Sequence, residues 1–549
     1  MTTQPLRRRL IGLWIALAAI LAASAAPAAR EGAPIVKTAD GLLSGKLDAG
    51  VRQFLGVPYA AAPVGDLRWK PPRPAPAWTG LRSAAALGDK CLQTTWSPPI
   101  AYVGAEDCLY LNVYAPKPSS RALVPVMVWF HGGGWVNGSS QDVDGHVFAA
   151  KGVIVVTVNY RLGAMGFFAS PLLDAESASR VSGNYALLDQ QAALRWVQRN
   201  IRQFGGDPRR VTIAGQSAGA LSNWIHLVAP SSRALFNQVI AESPVVSLHP
   251  EAGLDDARGL GGTKTLQQEE AAGTSAHLAR ALGCDGASDP LACLRARPAQ
   301  EIAEAMKPGA AGWGVGWTPV ADGLLLPGAA PTLIRQGRFK AVPILTGGNW
   351  GENGIFSLRK VAFGQPFYTQ ADYERLVLAL PHGADILAQY PARKFASPED
   401  AYIIMRGDAR VCTNISTARA LSAHSPLYLY QFEDEHPPAT LYAVEAPADV
   451  HPQAFHTAEI AYVFQTGYPN ELHPGAPPFT AAQKRLSQEM IDDWVGFVKT
   501  GRPPAASHWK PFAASRQFQL LSPLGVAQVS AERLAAQHNC GFWFTLWRD

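Results

Sequence analysis

Ser217 stands in Gly215-Gln216-Ser217-Ala218-Gly219, after the β-prone run Val211-Thr212-Ile213 and before a segment whose apolar residues Leu221, Ile225 and Val228 recur at helical spacing. The chemistry of a serine at a strand–turn–helix junction is nucleophilic attack. The tight turn lifts the hydroxyl clear of the backbone, and small residues two before and two after let strand and helix approach closely. The N–H of Ala218, at the helix start, would face a developing oxyanion. Alone, a five-residue match of this kind carries little weight in a chain with 50 glycines.

A second glycine-rich stretch, His131-Gly132-Gly133-Gly134-Trp135, ends an apolar run upstream of the serine. Bare N–H groups of Gly133 and Gly134 there would complete, with Ala218, a three-donor oxyanion hole. Acyl transfer also needs a base and an acid that orients it. Where a nucleophile elbow sits on an α/β sheet, both follow it in the chain. Glu352, in Gly-Gly-Asn-Trp-Gly-Glu-Asn-Gly just after the strand-like run Val342–Thr346, suits the acid. His436, His451 and His456 all lie after the run Leu427–Phe432 and compete for the base. An imidazole titrates near pH 6.5 and suits proton transfer around neutrality. The cluster Glu433-Asp434-Glu435-His436 reads as an exposed acidic turn in preference to a metal site, so neither metal nor cofactor is expected.

The elements that must position these groups alternate. Leu109–Tyr114, Val124–Phe130 and Val153–Val158 are strand-like, the second nearly all apolar, as suits a strand buried on both faces. Ala186–Phe204 reads as a helix stopped at Gly205-Gly206-Asp207-Pro208, followed by the elbow strand and by Phe236–Ala241. Ile35–Tyr59 reads as short strands at an antiparallel edge. Thr480 reads as the cap of a helix carrying Leu486, Met490, Trp494, Phe497 and Val498, stopped by Gly501 and Pro503. Buried strands alternating with helices indicate an α/β fold on a large, mostly parallel central sheet. The reading is one domain over residues 30–549, with helical insertions around 250–335 and 355–425.

A chain of 549 residues, 48% hydrophobic and 17% charged, has the composition of a globular protein, and a formal charge of +5 gives no reason to invoke nucleic acid. Residues 1–29 differ. Arg7, Arg8 and Arg9 precede the apolar run Leu10–Ala23 and small residues with Ala-x-Ala-like spacing, which reads as an export signal. The run falls short of the ~20 residues of a membrane anchor, and the paired arginines permit a twin-arginine route. No stable membrane insertion is expected after signal removal, and the destination is periplasmic or extracellular. Six cysteines behind such a signal point to disulfides, with Cys91 and Cys108, and Cys284 and Cys293, as short-range pairs; fifteen connectivities are formally open.

Longer stretches narrow the reading. Phe-Leu-Gly-Val-Pro-Tyr-Ala (54–60), Pro-Val-Gly-Asp-Leu-Arg-Trp (63–69), Glu-Asp-Cys-Leu-Tyr-Leu-Asn-Val (106–113), the His131 glycine run, Asn-Tyr-Arg (159–161), Gly-Asn-Tyr-Ala-Leu-Leu-Asp-Gln (183–190), Phe-Gly-Gly-Asp-Pro (204–208) and the elbow occur in one order along the chain. In these motifs the chain resembles the type-B carboxylesterase and cholinesterase-like family of α/β-hydrolases across nearly all of the mature sequence. The resemblance implies an α/β-hydrolase fold with Ser217 as nucleophile, Glu352 as acid and His456, chosen over its neighbours, as base. It further implies supporting roles for Ser243 and Glu459, ion pairs Arg68–Glu106 and Arg161–Asp189, and disulfides Cys91–Cys108, Cys284–Cys293 and Cys412–Cys540. Departures are specific. Gln216 stands where relatives usually carry Glu, which removes a negative charge beside the site and argues against a cationic substrate. Gly351 and Asn353 flank the acid where Asp and Gly are usual, and Pro244 follows Ser243 in place of a common Gly.

These features imply a secreted or periplasmic serine hydrolase acting on neutral, fairly apolar carboxylic esters through an acyl-enzyme, with a small-molecule substrate. Amide, lactone or carbamate hydrolysis by the same triad is the enzymatic alternative. A non-catalytic binding protein on this fold is the alternative of another class, disfavoured because such relatives have generally lost part of the triad.

Overall fold

The computed structural model describes residues 32–96, 98–118, 122–244, 264–265, 274–305, 317–438, 451, 453–466 and 478–547. The export signal read at residues 1–29, with its arginines and apolar run, lies outside the described residues, as does part of the first insertion.

Eleven strands form the central sheet: β1 (Lys46–Asp48), β2 (Val51–Pro58), β3 (Tyr110–Pro116), β4 (Val124–Phe130), β5 (Ile154–Val158), β6 (Gly206–Gln216), β7 (Gln238–Glu242), β8 (Ile344–Asn349), β9 (Leu427–Phe432), β10 (Gln517–Leu521) and β11 (Ala527–Ser530). Their spatial order is β11-β10-β9-β8-β7-β6-β4-β5-β3-β2-β1. From β5 to β10 every pairing is parallel, and antiparallel strands close both edges. In β4 the pleat divides the side chains between two cores, Val126, Val128 and Phe130 to one and Met127 and Trp129 to the other. Helices α1 (Tyr185–Asn200), α2 (Ala218–Val228) and α3 (Pro398–Ser422) cover the first face; α4 (Ala458–Phe464) and α5 (Ala481–Thr500) cover the second. The predicted start of α5 is realised as a capping box between Thr480 and Gln483, and its end by Gly501 at φ 75°.

Two details differ from the sequence reading. Only part of the stretch 35–59 joins the central sheet: Ile35–Lys37 pairs with Leu42–Ser44, which pairs with Leu81–Ser83, as a separate three-stranded sheet. The elbow strand is also longer than Val211–Ile213. It begins at Gly206, after Gly205 in the left-handed region at φ 94°, and crosses a register irregularity between Gly206 and Val211.

The three disulfides are Cys91–Cys108, Cys284–Cys293 and Cys412–Cys540. Arg68 binds Glu106 through two parallel hydrogen bonds of 2.7 and 2.6 Å. Arg161 holds the fully buried Asp189 through two of 2.7 Å. The first pair joins two loops, and the second ties the loop after β5 to α1.

The elbow glycines answer to one steric fact. A Cβ on Gly219 would lie 1.9 Å from the carbonyl oxygen of Phe130, at the end of β4. A Cβ on Gly215 would lie 2.6 Å from that oxygen and 2.8 Å from the carbonyl carbon of Gly219. Strand β6, helix α2 and the end of β4 thus meet backbone to backbone, which only glycine permits. Gly219→Ala is expected to destabilise the fold by about 3 kcal/mol or more in urea denaturation, above the usual range for overpacking. Gly286→Ala, where nothing lies within 4 Å of the added carbon, serves as the control and should be nearly neutral.

Candidate active site

Ser217 caps α2 with φ 55° and ψ −122°, a conformation costly to any residue with a side chain. Its N–H donates to the Glu242 carbonyl at 3.0 Å and its own carbonyl accepts from Leu221 N at 2.9 Å, so both flanking elements fix the turn. Its hydroxyl is partly exposed and makes no hydrogen bond among the described residues. The first residue of the helix is Ala218, whose N–H belongs to the turn left without intrahelical partners.

The glycine run begins where β4 ends. Gly133 and Gly134 have φ of 99° and 63°, and a Cβ on Gly133 would lie 2.2 Å from the Asn137 carbonyl oxygen. The loop is pinned from within: Val136 and Asn137 donate to the Gly133 carbonyl at 3.1 and 3.0 Å, and the Trp135 indole donates to Ser222 on α2 at 3.0 Å. His131 is buried, stacked on Tyr160 with ring centroids 4.2 Å apart, and burial pushes its imidazole down to about 4. It is a neutral packing group. The N–H groups of Gly133 and Gly134 have no acceptor among the described residues, which leaves them available to an incoming oxygen.

Of the three candidate histidines, only His456 reaches the elbow. His451 is exposed beside Asp400, and His436 lies in the turn after β9. Glu435 and His436 of that turn are exposed, as read from the sequence, but Asp434 is not. Asp434 is buried, accepting hydrogen bonds from the Tyr462 hydroxyl and, at 2.8 Å, from Gln483 Nε2, because α4 and α5 close over it. Among the described residues no cluster of side chains could hold a metal ion.

His456 Nδ1 donates to Glu352 Oε2, and its backbone N–H donates to the Glu352 carbonyl at 3.1 Å. Burial pushes the Glu352 carboxyl up, but His456, Arg410 and the Asn349 N–H outweigh it and hold the group below the ordinary glutamate range. The other face of the imidazole, Nε2, lies 3.2 Å from Gln216 Nε2, on the residue preceding the serine. The structure thus brings Ser217, Gln216, His456 and Glu352 into one cluster at the C-terminal ends of β6 and β8.

Behind it lies a second layer of carboxyls. Ser243, itself at φ 45°, donates its hydroxyl to Glu459 Oε1 at 2.5 Å. Asn349 donates through its backbone to Glu352 Oε1 at 2.9 Å, and through its side chain to Glu459 Oε2 and, at 2.8 Å, to the Phe455 carbonyl. Burial, then the nearby Glu352 charge, raises Glu459 to about 7. Glu242 is buried with Oε1 accepting from the Trp494 indole at 2.7 Å and Oε2 unpartnered; burial, then Glu459, raises it well above its ordinary value. Asn349 and Glu242 were missed from sequence. Each adjoins a residue that was singled out, Glu242 directly before Ser243 and Asn349 three before Glu352, but neither position carries a chemical signature of its own.

A serine on a strand–helix turn, paired through a neighbouring glutamine with a histidine–glutamate couple at the C-terminal edge of a parallel sheet, defines an α/β-hydrolase. Residues 32–543 match the carboxylesterase family. The chain is 36% identical over 503 residues to fumonisin B1 esterase of Sphingopyxis macrogoltabida, covering 86% of this chain and 84% of that protein. It is 31% identical over 549 residues to human cocaine esterase, covering 93% and 91%. Its fold is similar to that of a solved PNB esterase, with a TM-score of 0.73, 30% identity, and 92% and 99% of the two chains covered. The protein belongs to the carboxylesterase family and is an enzyme of that class.

The raised Glu242 carboxyl has a consequence for stability. A folded-state value above the unfolded one means that the native state holds a proton the unfolded chain releases, so the contribution is full below the unfolded value and is lost as pH rises. Glu242→Gln, which keeps the acceptor for Trp494 and carries no charge, should match wild type near pH 4 and exceed it in stability by an amount that grows toward pH 8. Urea denaturation across that range measures the difference; a gap independent of pH would show that Glu242 is not protonated in the fold.

Proposed function

We propose that this esterase acts through an acyl-enzyme with Ser217 as nucleophile, His456 as general base and Glu352 as the acid that orients it. The observation that carries this reading is the position of His456, bound to Glu352 through Nδ1 and presenting Nε2 to the residue preceding the strained serine. With its Nδ1 proton donated to Glu352, the imidazole has its lone pair at Nε2, the form that takes the serine proton. The serine oxygen then attacks the ester carbonyl, the N–H groups of Gly133, Gly134 and Ala218 receive the oxyanion, and His456 returns the proton to the leaving alcohol. Water activated by the same imidazole releases the acid. Each oxyanion donor is worth about 2.7–4 kcal/mol in the transition state. Asn349, Glu459 and Ser243 position the couple; they do not touch the reacting atoms.

Substrates are neutral, fairly apolar esters. Gln216 places a neutral amide where a carboxylate would attract a cationic alcohol group. Export follows from the residue 1–29 pattern, and the three disulfides fit an oxidising compartment.

Ser217→Ala should lose about 10⁶ in kcat on a chromogenic ester while retaining its fold, and a fluorophosphonate probe should add one label to wild type, at Ser217. Hydrolysis within tenfold of wild type, or a label elsewhere, would overturn the assignment. A panel of neutral esters, choline esters, amides and lactones should give its highest kcat/KM on the neutral esters. Choline esters favoured over neutral esters of equal acyl length would refute the role given to Gln216, and amides or lactones favoured over esters would refute the ester preference.

A further inference from the structure

Gln216 is fully buried and its two amide ends are unequally served. Nε2 lies 3.2 Å from His456 Nε2, whereas Oε1 has no hydrogen-bond partner. Oε1 faces Gly132, on which a Cβ would come within 2.9 Å of it. Two nitrogens at that distance bond only if one donates and the other accepts. Because the Nδ1 proton of His456 goes to Glu352, the imidazole nitrogen facing Gln216 is the one with the free lone pair, and the amide must be the donor. The lone pair that has to receive the Ser217 proton is therefore already occupied in the resting structure, and the Ser217 hydroxyl is correspondingly unbonded among the described residues.

We infer that the Gln216 amide is a positioning group that donates to neutral His456 in the resting enzyme and so favours the imidazole over the imidazolium. An amide suits this role because it offers an N–H donor and carries no charge. A carboxylate could serve only the protonated imidazole and an aliphatic chain neither. In this orientation Oε1 lies against Gly132, which has no side chain to displace it. This inference rests on His456 being the base of the reaction.

The groups facing His456 from other elements are Glu352 on the β8 loop and Glu459 on α4, with Arg410 of α3 beyond Glu352, and Glu242 and Tyr430 beyond Glu459. All of them are unchanged in variants at residue 216, so the acid limb of kcat/KM isolates the amide. A donor to the neutral imidazole favours that form. Removing it in Gln216→Leu should move the limb's midpoint upward by about half to one pH unit, the equivalent of one ordinary hydrogen bond. Gln216→Glu should move it upward further, by about one unit or more, because a carboxylate at this distance favours the imidazolium.

A leucine variant whose limb moves down, or stays, overturns the inference, since loss of an amide that only accepts would lower it. A glutamate shift no larger than the leucine shift overturns it as well. Should leucine not fold, Gln216→Met offers the same loss of donor on an unbranched chain. In ¹⁵N-histidine-labelled wild type above the limb, the Nε2 resonance of His456 should report a hydrogen-bonded acceptor, and a free lone pair there would refute the resting state described. Ser217→Ala separates the two readings: if it abolishes hydrolysis while the limb shifts fail, the triad stands and only the amide's role falls.

Discussion

One backbone contact sets the geometry of everything else: the carbonyl of Phe130 at the end of β4 packs directly on the elbow glycines of β6 and α2. It brings two functional segments together at once. The residue after Phe130 begins the glycine loop of the proposed oxyanion hole, and the residue between the two glycine-bounded halves of the elbow is Ser217. Because no side chain intervenes, the distance between the glycine loop and Ser217 is fixed by peptide geometry, which is stiffer than any side-chain packing. The unfavourable φ and ψ of Ser217 are held by the same assembly. Its N–H is taken by Glu242 in β7 and its carbonyl by Leu221 in α2, so relaxing the turn would break bonds in two elements.

The second organising quantity is charge. Three carboxyls, on Glu352, Glu459 and Glu242, are buried behind one imidazole, and three full negative charges there could not be sustained without cations. The structure grades them by their donors. Glu352 receives the imidazole and a backbone N–H and feels Arg410, so it carries the charge. Glu459 receives Ser243 and Asn349 yet sits beside that charge, which leaves it near the neutral point. Glu242 has one donor, the Trp494 indole, and burial with Glu459 beside it pushes its carboxyl well above the ordinary glutamate range. The gradient leaves the full charge on the carboxylate in contact with His456, the position that the proposed mechanism requires for orienting the imidazole and stabilising its positive charge.

Much of this was legible in the sequence for a physical reason. Elbow, glycine run and acid each follow a strand whose apolar run identifies it, so their order along the chain is also an order across the sheet. The choice of His456 among three histidines was not legible from residue types, because all three share one loop-rich stretch. It came from resemblance; in the structure, Phe455 and the α4 residues that follow His456 anchor it against β8, where it meets Glu352. Asp434 was misread because acidic clusters usually face water, and nothing local indicates that Tyr462 and Gln483, 28 and 49 residues away, close over it. Glu242 and Asn349 were invisible for the same reason, since their partners come from α5 and α4.

Gln216 joins both constraints. Its backbone is the last residue of the strand that packs on Phe130, and its side chain is the remaining polar group against the base. With Glu352 and Glu459 already acting on one imidazole, a further carboxylate at 216 would bias that imidazole toward its protonated form and reduce the fraction able to accept the serine proton at neutral pH. A neutral amide avoids that bias. The same neutrality leaves no anionic side chain at residue 216 for a cationic alcohol, so in the proposed mechanism the tuning of the base and the preference for neutral esters rest on one side chain.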